Sequence, residues 1–220
     1  MKYISVAVDG PAGAGKSSVS KAVAKSLGYT YIDTGAMYRA VALFAINNGI
    51  DVKNETEKLV SRLNEVEIDI KYTDEGQQIY LLGENVSKRI REEDVSVGAS
   101  NVAVIPEVRK KLVELQRKMA ESANVIMDGR DICSYVLPNA DVKVYLTASV
   151  ECRAMRRFKE LEGKGEACDF EQIRQDIQER DERDMTREIA PLKQAEDATL
   201  IDSSEMGIDD VVKAIIALKK

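Results

Sequence analysis

The densest chemistry in this chain lies in Gly10-Pro11-Ala12-Gly13-Ala14-Gly15-Lys16-Ser17-Ser18. These residues fit the spacing G-x-x-x-x-G-K-[ST] of a phosphate-binding loop. Small residues let backbone N–H groups curl around phosphate oxygens, and the N-terminus of a following helix adds positive partial charge. Lys16 can reach the β- and γ-phosphates of a nucleotide, and the Ser17 hydroxyl can ligate Mg²⁺. The flanks agree. Tyr3-Ile4-Ser5-Val6-Ala7-Val8 is a β-branched apolar run, so a strand leads in; Val19, Ala22, Val23 and Leu27 recur at helical spacing, so a helix leads out, and Gly28 ends it.

A second group follows the apolar run Asn124-Val125-Ile126-Met127. Asp128 at its end fits the acidic position that holds Mg²⁺, directly or through water, in phosphate-loop enzymes. The plainer alternative is a turn aspartate before Gly129. Arg130 and Asp131 come next, and an arginine at a strand end beside the loop reads better as a phosphate clamp than as half of a surface ion pair.

The third group is set by helical spacing. At about 100° per residue, Arg180, Arg183, Asp184 and Arg187 share one helix face. Three guanidiniums there repel one another unless an anion is present, and Asp184 neutralises only part of the charge. The alternative is a solvated charged helix. Arg153, Arg156 and Arg157 form another one-face set just before Gly163-Lys164-Gly165, and read as a mobile lid that brings cations in on closing. A solvated face partly paired with Glu160 is the alternative. So many cations suit phosphoryl transfer between two anionic ligands better than a simple nucleotide switch. Lys16, Arg130, Arg183 and Arg187 are the candidates for stabilising the transferred group. The loop, Gly10 to Ser18, with Arg153 and Arg157, is the candidate site for the phosphates of a donor nucleotide. The chain has no histidine. Any general base is therefore Asp, Glu or Lys, or the acceptor is an already ionised phosphate oxygen that needs none.

The elements that must position these groups alternate as strand and helix. Strands are expected at 3–8, 29–33, 124–128, 142–147 and 198–202, with helices from Thr34 to about Asn47, Glu55 to Asn64, Val150 to Leu161, Phe170 to about Arg187 and Ile208 to Leu218. Lys88 to Ser122 reads as helical with a break before Pro106. Val66–Tyr72 and Gln78–Leu82 alternate apolar and polar around Asp74-Glu75-Gly76, a hairpin signal inside the βα framework. The expected fold is a three-layer α/β/α phosphate-loop fold with five parallel strands, a small antiparallel insert at 51–87 and a helical lid at 153–187, all in one domain of 220 residues.

Composition narrows the class. Charged residues make up 32% of the chain, hydrophobic residues 44%, and the net charge of −6 argues against a broad nucleic-acid surface. Cys133, Cys152 and Cys168 have no paired metal spacing, and without histidine a zinc site is disfavoured. An odd cysteine count without a signal-peptide pattern points to a cytoplasmic setting. No apolar run approaches the ~20 residues that span a bilayer. A monomer is expected.

Taken together, Asp9–Ser17, Asp33-Thr34-Gly35-Ala36-Met37-Tyr38-Arg39, Asp128–Asp131 and Arg180–Arg187 resemble the motifs of bacterial cytidylate kinases, in that family's order and across essentially the whole chain. The resemblance implies a sheet order of 2-3-1-4-5 and Mg²⁺-dependent transfer from ATP to CMP or dCMP. It implies that Thr34, Arg109 and Asp131 face the cytosine, that Ser100, Arg180 and Asp184 face the ribose, and that Arg39, Arg130 and Arg187 hold the acceptor phosphate. The readings that compete are a kinase for UMP, AMP or a metabolite hydroxyl, and a regulatory nucleotide-binding switch. No Asn-Lys-x-Asp guanine signature supports the last.

Overall fold

In the computed structural model, which describes residues 3–73 and 76–219, the N-terminal β-branched run forms strand β1, Ser5–Asp9. Helix α1, Lys16–Leu27, leaves the glycine loop and ends at Gly28, whose φ of +67° suits a residue without Cβ. Strand β2 is Thr30–Asp33 and runs directly into helix α2, Thr34–Asn47. After helix α3, Thr56–Ser61, come β3, Ile68–Thr73, β4, Gly76–Leu81, and the short β5, Glu84–Asn85. Helices α4, Glu93–Val102, and α5, Pro106–Ala120, lead to β6, Val125–Gly129. The rest is β7, Val142–Thr147, α6, Val150–Gly163, α7, Phe170–Thr186, β8, Thr199–Asp202, and α8, Ile208–Ala217.

The chain divides into two compact units, one from the N-terminus to Tyr31 together with Ala120 onward, the other Ile32–Met119. The first is built on the sheet β2-β6-β1-β7-β8. β1 pairs in parallel with β6 and β7, and β7 with β8. Counting these five strands alone, the order is 2-3-1-4-5, as the resemblance implied. Val6, Val8, Ile126, Val144, Leu146 and Ile201 from the sheet bury against Val19 and Val23 of α1 and Val211 and Ile215 of α8. Strands covered by helices lose the polar alternation of half-exposed strands, which is why β1 reads as a nearly continuous apolar run. α6 and α7 pack through Ala154, Ile173 and Ile177, with Phe158 and Phe170 edge to face at 6.2 Å.

The second unit is organised on α2, where Ala36, Met37 and Ala40 through Ala45 are all buried. Gly98 of α4 lets the two helices approach, since a Cβ there would lie 3.1 Å from that of Ala42. Leu59, Ile79, Ile90 and Leu112 complete this core. The expected hairpin is present as β3-β4, extended by β5, which the alternation does not reveal. Asp74 and Glu75, assigned to its turn, lie outside the described residues.

Several boundaries are corrected. The helix expected from Glu55 to Asn64 stops at Ser61 and continues as a 3₁₀ turn, Leu63–Glu65. The helical stretch expected from Lys88 is a 3₁₀ turn at Arg89–Arg91, and extended backbone at Glu92 (ψ 158°) separates it from α4. Pro106 opens α5 because its missing N–H costs nothing at the first helical position. The link expected at Gly163 begins one residue later, since α6 includes Gly163 and the chain turns at Gly165, φ +73°. No helix of the described residues is long and apolar enough to cross a membrane.

Candidate active site

The loop between β1 and α1 is held in shape by neighbours that leave no room for side chains. Gly10 has φ +148°, and a Cβ there would fall 1.9 Å from the Leu146 carbonyl oxygen. Gly15 caps α1 in the left-handed region, φ 89°, and no side chain caps the helix. Its first-turn N–H groups are therefore available to an anion. Lys16 is buried, and its Nζ donates to the Gly10 and Pro11 carbonyls, each at 2.7 Å. Burial and the nearby Arg130 guanidinium hold its pKa well below the ordinary lysine value, against the opposing pull of Asp128, Asp184 and Asp9.

Asp128 sits near the end of β6, almost fully buried. Its Oδ2 accepts from Ser17 Oγ at 2.8 Å and its Oδ1 from Tyr31 Oη at 2.8 Å. Ser17 and Asp128 thus put two hard oxygen donors side by side at the start of α1. Among the described residues there is no cluster of three or more His, Cys, Asp or Glu that could hold a metal. That donor set fits Mg²⁺, which is commonly bound by one or two protein oxygens and completes its shell from substrate phosphates and water.

The segment after β6 meets α7 and the residues following it. Arg130 Nε donates to Asp184 Oδ2 at 2.8 Å. Arg187 Nη2 donates to Asp131 Oδ1 at 3.2 Å, and its Nε to the Ala190 carbonyl at 2.7 Å. Burial pushes the Asp184 carboxyl up, but Arg130, with Arg180 and Arg187, outweighs this and holds it below the usual range. For Arg130 the same contest favours the charged form, with Asp184 and Asp128 overcoming desolvation. Arg180 lies half-buried within electrostatic reach of Asp184, whereas Arg183 is exposed and donates Nε to Glu179 O of its own helix.

The three arginines of α6 do not act as one face. Arg153 is buried, and donates Nε to Ala148 O, Nη1 to Ala12 O of the loop, and pairs through Nη2 with Asp181 Oδ2 at 2.6 Å. Arg156 bonds the carbonyl and hydroxyl of Ser203. Arg157 pairs with Glu160 at 2.9 Å on the surface. The spacing correctly places them on one helix but cannot tell that α6 crosses the loop at Arg153, whose Cβ comes within 3.1 Å of where a Gly13 Cβ would stand. Pro11 and Ala14 are buried, while Gly13 and Ser18 are exposed.

In the second unit, Thr34 is the buried first residue of α2. Asp33 caps that helix by accepting from Ala36 N at 3.0 Å, receives Arg91 Nη2 at 2.7 Å, and donates its own N–H to Gln77 Oε1 at 2.8 Å. Arg39 Nη1 donates to Ile90 O at 3.1 Å and to Ser96 Oγ. Arg109 is buried, with Nη1 donating to Ala103 O and its guanidinium 5.9 Å from the Tyr38 ring centre. Ser100 is half-buried on α4. Residue-level reasoning alone marks neither Arg109 nor Ser100.

It also misses Asp9, Tyr31, Gln77 and Asp181. Asp9 carries a signal that could have been used, an acid directly after the apolar run Val6-Ala7-Val8. Tyr31 and Gln77 carry none, because the hydrogen bond each makes to the site's surroundings joins it to a partner distant in the chain.

A family model described as Cytidylate kinase matches residues 6–220. The cytidylate kinase of Caldicellulosiruptor bescii is 50% identical over 218 residues, covering 99% of this chain and 96% of that protein. The corresponding kinase of Caldicellulosiruptor saccharolyticus is 51% identical with the same coverage, and that of Anoxybacillus flavithermus 48% identical over 217 residues, again 99% and 96%. Among solved structures, an uncharacterized protein from Eubacterium ventriosum shares the fold at a TM-score of 0.54 and 11% identity, over 97% of this chain and 96% of that one.

Proposed function

This chain belongs to the cytidylate kinase family, and from that premise we propose a role for each group of the site in making CDP. The enzyme transfers the terminal phosphoryl group of ATP to CMP, giving ADP and CDP. The loop Gly10–Ser18 binds the ATP phosphates through backbone N–H groups and Lys16, with Arg153 and Arg157 adding charge from α6. Ser17 and Asp128 hold Mg²⁺, which neutralises charge on the phosphates when bound. Arg130 and Arg187, with Lys16, stabilise charge on the group in flight, while Arg183, exposed and bonded to its own helix, takes no part. Arg39, Arg130 and Arg187 hold the acceptor phosphate, Ser100, Arg180 and Asp184 the sugar, and Thr34, Arg109 and Asp131 the base.

Base choice has a chemical basis. Asp131 accepts from the cytosine N4 amino group and Arg109 donates to N3 or O2, whereas uracil would turn O4 toward the carboxylate. No general base is required, because the acceptor oxygen belongs to a phosphate already ionised near neutrality. The observation that carries this reading is the set Arg130–Asp184 and Arg187–Asp131, in which Arg187 acts on Asp184 and the Arg130–Asp184 pair lies within electrostatic reach of Lys16. It supplies acceptor-side cations that a nucleotide switch has no use for. We further propose that residues 1–220 act as one kinase domain with its acceptor-side insert at 51–87 and its lid at 153–187, that dCMP is also accepted, and that the enzyme is a cytoplasmic monomer without nucleic-acid or membrane partners.

The test is a coupled ADP-release assay with Mg·ATP and a panel of CMP, dCMP, UMP, AMP and small hydroxyl acceptors. The highest kcat/KM is expected for CMP. Turnover that does not depend on any acceptor would favour a switch, and a clear preference for another acceptor would reassign the substrate.

A further inference from the structure

We propose that Asp9 is a positioning residue for pyrimidine selection, its carboxylate gripping the backbone just beyond Asp131 and so aiming that side chain at the base. The proposal rests on the reading of Asp131 as the residue that meets the cytosine amino group.

Asp9 is fully buried at the last position of β1, immediately before the loop glycine. In the parallel register it lies opposite Gly129, two residues before Asp131. Its side chain therefore reaches the exit of the neighbouring strand. Oδ1 accepts from Ile132 N and Oδ2 from Cys133 N, both at 2.8 Å. Both carboxylate oxygens are thus committed to the two residues that follow Asp131. The backbone needs such a restraint there. Asp131 sits at φ −146°, ψ 24°, outside regular helix or strand, and Ile132–Val136 then forms a π-helical turn. Such turns are rare and cluster at functional sites. The Cys133 thiol adds weak contacts from the same segment to Ala7 O at 3.5 Å and Val144 O at 3.6 Å. Asp131 itself accepts from Arg187.

The choice of a carboxylate is informative. Burial, with Asp131 close by adding to it, raises the Asp9 pKa to about 6 despite the two amide bonds. The ionisable and polar groups around it are Asp131, the Cys133 thiol, Lys16 and Tyr145. A buried acid held under such pressure is a poor device for packing alone, where an apolar side chain would cost less. Two amides presented side by side are matched only by a group with two acceptor oxygens. No other side chain of this length except aspartate offers them.

Asp9→Asn keeps the size but turns an NH₂ toward one amide, which shifts the segment. The readout is the ratio of kcat/KM for CMP over UMP, with KM for ATP measured alongside and folding checked by circular dichroism. The ratio is expected to fall about tenfold or more, since a displacement near 1 Å at a reacting geometry can cost a hundredfold. KM for ATP should change by no more than about twofold, and in an Asp131→Ala background the substitution should leave the ratio nearly unaltered, because the two act through one group. Asp9→Ala, which removes both acceptors without presenting a donor, is the second variant and should also lower the ratio about tenfold or more. An unchanged ratio in a folded variant, or failure of both variants to fold, would assign Asp9 to the fold alone and overturn the proposal. If the wild-type enzyme itself shows no preference for CMP, the reading of Asp131 fails independently of Asp9.

Discussion

Arg187 and Asp131, 56 positions apart, are joined by a 3.2 Å hydrogen bond with both side chains more than nine-tenths buried. The residue proposed to hold the acceptor phosphate is thus bonded to the one proposed to read its base. Such a bond orients both groups in advance, so that less of the binding energy is lost in ordering them.

Asp131→Ala should therefore have two effects. Discrimination of CMP over UMP should collapse, because the acceptor for N4 is gone. KM for both should also rise, because Arg187 loses one of the partners that orient it. Steady-state kinetics with the two nucleotides measures this, and an unchanged ratio of kcat/KM would rule out a base-reading role.

Arg187→Ala should lower kcat about 10³-fold, the scale at which an arginine acts on a transferring phosphoryl group. An ordinary kcat with only a raised KM for CMP would mean that Arg187 binds ground state and transition state alike.

Ser17→Ala removes one of the two oxygens that meet at 2.8 Å beside the loop. The Mg²⁺ concentration for half-maximal rate should rise about tenfold or more, as when a metal site loses an orienting group. Chelation of Mg²⁺ from the wild-type enzyme should abolish turnover reversibly. Activity that survives chelation would argue against the metal role of Ser17 and Asp128.

Gly10→Ala has no conservative outcome, because the added methyl would meet backbone oxygen at 1.9 Å and neither side can yield without moving the loop or β7. Titration with a non-hydrolysable ATP analogue should show affinity lowered at least about a hundredfold. Near-normal affinity would show that the loop can relocate at little cost.

The buried acid at Asp9 also predicts a pH dependence of stability. Its carboxyl keeps its proton up to about pH 6 in the folded chain, against 3.8 as an ordinary value. The folded state thus binds the extra proton between these limits, and stability falls as pH rises through them. The difference between wild type and Asp9→Asn should decline by about 3 kcal/mol from pH 4 to pH 6 and stay level above. Chemical denaturation across that range measures it, and a flat difference would show that Asp9 titrates normally.

Much of the site is local chemistry and can be read directly. Lys16 and Ser17 follow a glycine spacing whose only common use is phosphate binding, and Asp128 closes an apolar run that could only be a buried strand. The arginine faces were half legible. Arg180, Asp184 and Arg187 gather beside the strand end, but Arg183, on the same nominal face, points to solvent and donates to its own helix. Helical spacing says which residues are near one another around an axis. It does not say how wide a sector the neighbouring segment covers, and here that sector excludes Arg183.

What the sequence determined by itself was the order of the five sheet strands and the main helices along the chain, the phosphate loop and the inventory of cations. Each depends on patterns within a few residues, where periodicity and backbone preference act. What only the tertiary structure decided was the pairing. Arg153 turns to Ala12 O and Asp181, Arg156 to Ser203, Asp33 to Gln77 and Arg91, and Asp9 to the amides beyond Asp131. Several of those partners are backbone groups, which every residue carries and no residue name reveals. Which of them meets a given side chain follows from how strands register and helices cross, and that is fixed when the core closes around residues far apart in the chain.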